Sequence, residues 1–116
     1  MKKSLLALAI VAGSVGAVGV AHAQANDTLA KIKAAGKVVI GTRDSSAPLA
    51  YTTGDGKYTG YHVEICNRIV DAIKADLKLP ALATEYTLVT SQNRIPLVTN
   101  GTVDLECGST TNNATR

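Results

Sequence analysis

Two arginines stand out in a chain otherwise short of reactive groups. Arg43 lies in Thr42-Arg43-Asp44-Ser45-Ser46 and Arg94 closes Thr90-Ser91-Gln92-Asn93-Arg94, while a third polar string, Gly108-Ser109-Thr110-Thr111, carries hydroxyls. A guanidinium offers a planar fork of donors that meets a carboxylate at two points, and hydroxyls and backbone N–H groups near helix starts add neutral donors. Two forks in separate loops suit a ligand with two carboxylates. Taken one at a time the signals are ordinary. A lone loop arginine is usually a solvated surface residue, and Ser or Thr beside a helix start is usually a cap. The weight lies in their convergence.

Catalytic inventories are poorly supplied. The histidines are His22 and His62, with no metal-ligand spacing to any partner, and His62 reads as incidental near a helix start. Glu64 and Asp104 are single carboxylates without an acid/base mate, Asp104 reading as a strand-edge or structural residue. No nucleophile-elbow, phosphate-loop, dinucleotide-binding or Cys-x-x-Cys pattern occurs. No catalytic residue, metal or cofactor is expected.

The elements that must position the three loops follow from periodicity. Asp27 or Thr28 caps a short helix through about Ala35, with Leu29 and Ile32 inward and Gly36 as the stop. Lys37–Gly41 is a compact β-branched run, hence a buried strand, and Thr42 to Pro48 is the loop at its carboxyl end. Leu49–Tyr51 and Tyr58–Tyr61 flank Asp55-Gly56 and read as a hairpin. Tyr61 to about Leu77 is a helix, with Tyr61, Ile65, Ile69, Ala72, Ile73 and Leu77 recurring every three or four residues. A strand follows over Thr84–Val89, then a short helix from Ser91 or Asn93 through about Asn100, with Ile95, Leu97 and Val98 inward. Pro96 is tolerated only near a helix start and favours the later cap. Val103–Cys107 is a third strand. Strands separated by helices imply parallel crossovers and an open α/β sheet, in which ligands bind outside the carboxyl ends of the strands. All three polar loops lie at such ends.

The 116-residue chain opens with Met1-Lys2-Lys3, an uncharged apolar run over residues 4–20, and Ala21-His22-Ala23. That is the grammar of a secretory signal peptide cleaved after Ala23. Residues 24–116 then form the mature segment, and the loss of Lys2 and Lys3 brings its charge close to balance. The pI near 9.0 thus belongs mainly to the whole string and does not indicate a nucleic-acid binder, which needs a clustered basic face. No second apolar run is long enough to cross a bilayer. The first cysteine is Cys66, so no lipid-attachment cysteine follows the leader, and an exported, periplasmic compartment is expected. Cys66 on the long helix and Cys107 at the third strand's end leave three readings open. They pair with each other, since that helix should pack on this sheet; both are buried thiols; or Cys107 pairs with a cysteine outside this sequence. Phe and Trp are absent, so aliphatic side chains supply nearly all of the core.

Three blocks carry a resemblance: LAKIKAAGKVVIGTRDSSAPLAY, GYHVEICNRIVDAI and, most specific, TSQNRIPL followed by NGTVDLECGSTTNN. From Thr28 to Arg116 the chain resembles the start of a periplasmic solute-binding protein of a polar amino-acid ABC transporter, most of all the glutamate/aspartate-binding proteins. The resemblance implies a fold of two α/β lobes closing on the ligand. Residues 24–116 would be most of the first lobe, with the second lobe, about half of such a protein, absent from this sequence. It implies that Arg94 holds the ligand's α-carboxylate, that Ser91, Ser109 and Thr111 complete that cradle, and that Arg43 meets the side-chain carboxylate of L-glutamate or L-aspartate. It further implies a monomer, free of nucleic acid, that delivers its ligand to the membrane permease of an ABC importer. The runner-up is a binder of another polar amino acid. A third reading, from the enzyme class, is a periplasmic dehydratase of the cyclohexadienyl or arogenate type, which shares the fold but needs an acid/base residue facing the ligand.

Overall fold

The computed structural model describes residues 27–115, so the expected signal peptide and its cleavage after Ala23 lie outside the described residues. Helix α1 spans Thr28–Ala35. The Asp27 carboxylate accepts the Ala30 N–H at 3.0 Å, and Gly36, left-handed at φ 67°, returns its N–H to the Ile32 carbonyl. Both helix ends thus satisfy backbone groups that would otherwise lack partners. Strand β1 follows at once over Lys37–Thr42.

β1 is the centre of a parallel three-stranded sheet in the order β5-β1-β6, where β5 is Ala83–Leu88 and β6 is Leu105–Glu106. Lys37 pairs with Ala83 and Thr42 with Leu88, while Ile40 and Gly41 pair with Leu105 and Glu106. A central parallel strand is covered on both faces, which fits its run of buried residues, Val38, Ile40, Gly41 and Thr42. Helix α2, Tyr61–Leu77, lays Cys66 and Val70 on the sheet, and these join Ile32, Val38, Ile40, Leu82 and Cys107 in one apolar core. Burial of such aliphatic side chains stabilises by roughly 1.5–3 kcal/mol each, the main favourable contribution in a chain without Phe or Trp. Cys66 and Cys107 are joined by a disulfide, which ties α2 to the carboxyl end of β6.

Several local expectations are corrected. Ser45–Ser46, read as loop, forms strand β2, which pairs antiparallel with β3 (Ala50–Thr52); β3 pairs in turn with β4 (Tyr58–Thr59). The hairpin is therefore part of a second, three-stranded sheet. On α2 the buried positions are Val63, Cys66 and Val70, with Ile73 and Leu77 partly buried, whereas Tyr61, Ile65 and Ile69 are exposed. The helix carries apolar residues on two adjacent stripes, and the sheet covers only one. Leu29 is likewise exposed, and Ile32 alone is buried on α1. Helix α3, Arg94–Thr99, starts late, as Pro96 requires, yet Ile95 and Val98 are exposed and Arg94 is its buried residue. Six residues make fewer than two turns, so one side chain is enough to fill the inward side.

The third strand shrinks to two residues because Asp104 replaces ladder bonds with its own side chain. The Asp104 N–H donates to the Val39 carbonyl, and Asp104 Oδ2 accepts the Val39 N–H, both at 2.8 Å. Its other oxygen meets Lys31 Nζ at 2.7 Å, and the side chain is only 2% exposed. Asp104 is structural, holding α1 and the start of β6 against β1.

Gly60 admits α2 to the second sheet. It sits at φ 121°, and a Cβ there would collide with the Leu49 carbonyl. The next two N–H groups, of Tyr61 and His62, donate to the carbonyls of Pro48 and Leu49, which does the work of a helix cap.

Candidate functional site

Backbone bonds hold the carboxyl ends of the three parallel strands together just beyond the regular ladder. The Val89 N–H donates to the Thr42 carbonyl at 2.9 Å and the Cys107 N–H to the Gly41 carbonyl at 2.7 Å. The Thr42 hydroxyl, fully buried, donates to the Cys107 carbonyl at 3.1 Å. The residue after each of these junctions opens one of the three polar loops, so Arg43, Thr90 and Gly108 start from a common, rigid edge. Gly41 makes the close approach possible: a Cβ there would stand 2.9 Å from Val103 Cγ1 and 3.0 Å from Val89 Cγ1.

The second loop folds on itself. The Thr90 N–H donates to Asn93 Oδ1 at 2.7 Å, the Asn93 N–H donates to the Thr90 hydroxyl at 3.2 Å, and the Arg94 N–H reaches the Thr90 carbonyl. This reciprocal bracket sets the first residue of α3, which is Arg94. Arg94 is 8% exposed, an uncommon state for an arginine. Its Nη1 donates to Ser109 Oγ at 3.4 Å, and its buried Nε has no hydrogen-bond partner among the described residues.

Arg43 extends from the first loop towards the second. Its Nη1 donates to the Val89 carbonyl at 3.3 Å, and its Nε is buried with no partner among the described residues. Arg43, Thr90 and Ser91 line one open cleft of about 460 Å³, together with Asp44, Leu88, Val89 and Gln92. Asp44 is exposed and accepts from its neighbour Ser45. The structure thus brings Arg94 to Ser109 and Arg43 to the loop of Ser91. Thr111 is exposed, two residues past Ser109, and lines neither this cleft nor the hollow described next.

His62 and Glu106 support the third loop. His62 Nδ1–H donates to the Gly108 carbonyl, so the histidine read as incidental pins that loop to the start of α2. Glu106 ends β6, and its buried Oε1 has no hydrogen-bond partner among the described residues. Both residues line a hollow of about 260 Å³ with Cys66, Cys107 and Thr110. Glu106 was legible as a carboxylate at a strand's carboxyl end, the same criterion that selects Arg43; His62 gives no such signal.

Among the described residues, no group of His, Cys, Asp and Glu is placed to hold a metal ion, and no helix is long and apolar enough to cross a membrane. What the edge offers is two guanidinium groups in neighbouring loops, with hydroxyls and loop N–H groups around them. That donor set has the chemistry to meet carboxylates.

Over 114 residues the chain is 52% identical to the L-glutamate/L-aspartate-binding protein of Pseudomonas aeruginosa, covering 97% of this chain and 37% of that protein. It is 48% identical over 113 residues to the glutamate/aspartate import solute-binding protein of Escherichia coli, again 97% of this chain and 37% of the relative. Both names describe binding and transport rather than catalysis. The solved structure of the cysteine-binding protein from Campylobacter jejuni superposes with a TM-score of 0.64 at 27% identity, over 77% of this chain and 34% of that one. The chain therefore spans a little over a third of its relatives' length, consistent with one lobe of a periplasmic binding-protein fold. The sequence model of the bacterial extracellular solute-binding proteins, family 3, matches residues 38–116, and the chain belongs to that family.

Proposed function

We propose that the protein containing this chain captures L-glutamate and L-aspartate in the periplasm, as a monomer, and delivers them to the membrane permease of an ABC importer. Residues 1–23 act as the export signal, and residues 24–116 provide the first lobe. The observation that carries the ligand assignment is the placement of Arg94. A guanidinium 8% exposed, held at a helix start beside Ser109 and with an uncompleted donor, is set to meet an anion. Arg94 takes the α-carboxylate common to all amino acids, with Ser91, Ser109 and Thr111 around it. Arg43, on the adjacent strand end, takes the second carboxylate that only the acidic amino acids carry. The names of the Pseudomonas and Escherichia relatives support the same choice.

The test is calorimetric titration of a grafted protein, in which residues 24–116 replace the corresponding segment of the Pseudomonas relative. L-Glutamate and L-aspartate should both bind at micromolar concentrations, with L-glutamine weaker by about tenfold or more, since it forfeits one charged contact. The 116-residue chain alone should bind about a hundredfold more weakly than the graft, because exposed charge pairs are screened by water and enclosed ones are not. A graft that prefers glutamine, or binds none of the three, refutes the assignment.

A further inference from the structure

A carboxylate oxygen and the stem of an arginine flank a single glycine, and both that oxygen and the arginine's Nε–H are buried without partners among the described residues. They are Glu106 Oε1 and Arg43 Nε. A Cβ on Gly108 would collide with Glu106 Oε1 and stand 2.8 Å from Arg43 Cγ, so both side chains press on the space that glycine leaves open. Nε lies two bonds beyond Cγ, so rotation within Arg43's own side chain is able to carry its N–H towards the carboxylate. At present the fork is engaged elsewhere, with Nη1 on the Val89 carbonyl at 3.3 Å, a long bond to a neutral acceptor. A buried carboxylate oxygen and a buried guanidinium N–H are each costly alone and strongly favourable together.

We infer that Glu106 is the positioning residue for Arg43. A rotation within the Arg43 side chain, away from the Val89 carbonyl, lets the Glu106 carboxylate accept the Nε–H and fix the plane of the guanidinium, which frees both terminal nitrogens for the ligand's side-chain carboxylate. This deepens the reading of Arg43 given above and rests on it. Arg94 also has an Nε without a partner among the described residues, but the arginine side chain that meets Glu106 at Gly108 is that of Arg43. Thr110 Oγ1, which lacks a hydrogen-bond partner among the described residues and whose residue lines the same hollow as Glu106, is the competing donor.

The sign of the effect separates positioning from simple charge balance. If Glu106 only diluted the positive field of the arginines, its removal would raise the preference for glutamate over glutamine. If it orients Arg43, removal lowers that preference. In the grafted protein, Glu106→Ala should weaken glutamate binding by about tenfold or more and glutamine binding by less than about threefold, the loss expected for one charged hydrogen bond. With Arg43→Ala already present, Glu106→Ala should change neither ligand. Thr110→Val should leave the preference as it was. In spectra of ¹⁵N-arginine-labelled graft, the Arg43 Nε–H resonance should be protected from solvent exchange in the parent and lose that protection in Glu106→Ala. Should the alanine variant not fold, Glu106→Gln keeps a neutral acceptor, and the Arg43 Nε–H resonance should shift upfield while glutamine binding persists. An Arg43 Nε–H indifferent to Glu106, equal losses for glutamate and glutamine, or a raised glutamate preference overturns the assignment. A parent graft that binds neither amino acid refutes the ligand reading, and the Nε–H measurement then still decides the Glu106 contact.

Discussion

The two ends of the parallel sheet handle charge in opposite ways. Towards the amino end, Lys31 meets Asp104 at 2.7 Å and Lys37 meets Glu85 at 2.9 Å, and the buried Asp104 carboxylate also accepts a backbone N–H. At the carboxyl end, the buried atoms Arg43 Nε, Arg94 Nε and Glu106 Oε1 have no partners among the described residues. Hollows of similar size lie at both ends, about 330 Å³ beside Lys31 and Asp104 and about 460 Å³ beside Arg43 and Ser91. Volume therefore does not tell them apart; the state of the charges does. A charge buried for stability comes with its partner, because an unpaired one is strongly unfavourable. Buried polar atoms without partners among the described residues set the carboxyl end apart, and the proposed ligand reading rests on that difference.

The largest effect that sharpens this contrast is expected at Arg94. In the graft, Arg94→Ala should abolish tight binding of every amino acid, because the α-carboxylate is common to them all. Loss of one partner of a desolvated charge pair costs about 2–5 kcal/mol, roughly thirtyfold to several-thousandfold in affinity. Glutamate binding within a factor of about three of the parent would remove Arg94 from the site, since no such pair could then be in play.

Arg43→Ala comes next and should be selective. Glutamate and aspartate should each weaken by about tenfold or more, with glutamine little changed, because glutamine has no side-chain charge to lose. Arg43→Lys should also damage acidic ligands, since an ammonium keeps the charge but loses the planar fork. Parallel titrations of the three amino acids at one ionic strength check this. An equal response across them would reduce Arg43 to scaffold.

At the other end, Asp104→Ala should alter stability and leave ligand preference intact. It strands the half-buried Val39 N–H and leaves Lys31 with only the Gly101 carbonyl, at a cost of about 1–3 kcal/mol. Urea melts read the loss, and glutamate-to-glutamine affinity ratios should stay at the parent value. A changed ratio would mean that the two ends are coupled.

The smallest effect belongs to a charge at neither end. Asp55, in the turn between β3 and β4, accepts the Lys57 N–H at 3.1 Å and the Thr53 hydroxyl at 2.8 Å, and these bonds hold its carboxyl below the usual 3.8. A folded-state value below the unfolded one contributes stability above the unfolded pKa that is lost as pH falls through the folded value. Carboxyl-carbon NMR titration should find Asp55 titrating below 3.8, and Thr53→Ala should move it upwards. A normal value in the parent would show that the turn does not depend on those bonds.

The sequence made the frame of this molecule legible because the frame rests on strong, short-range signals. Gly36 after an apolar turn, the β-branched Lys37–Gly41 run and the cap ahead of Pro96 each dictate local backbone, and the strand–helix alternation dictates a parallel sheet. The three loops followed, since carboxyl ends of strands are identifiable once the strands are. Faces were harder. On α2, Tyr61, Ile65 and Ile69 form as regular a stripe as Val63, Cys66 and Val70, and periodicity alone cannot say which one meets the sheet. Arg94 was legible as a ligand donor but not as the buried residue of α3, because hydropathy puts Ile95 and Val98 inward. The roles of His62 and Glu106 depend on contacts that α2 and β6 make with Gly108, far from His62 in the chain, and these exist only once the sheet is assembled.

The most direct test of the central claim is a crystal structure of the grafted protein with L-glutamate bound. The α-carboxylate should lie on the Arg94 guanidinium beside Ser109 and the side-chain carboxylate on Arg43, at the carboxyl ends of β6, β5 and β1. A glutamate whose carboxylates are held by other residues, with Arg43 and Arg94 still bonded only to protein, would contradict it.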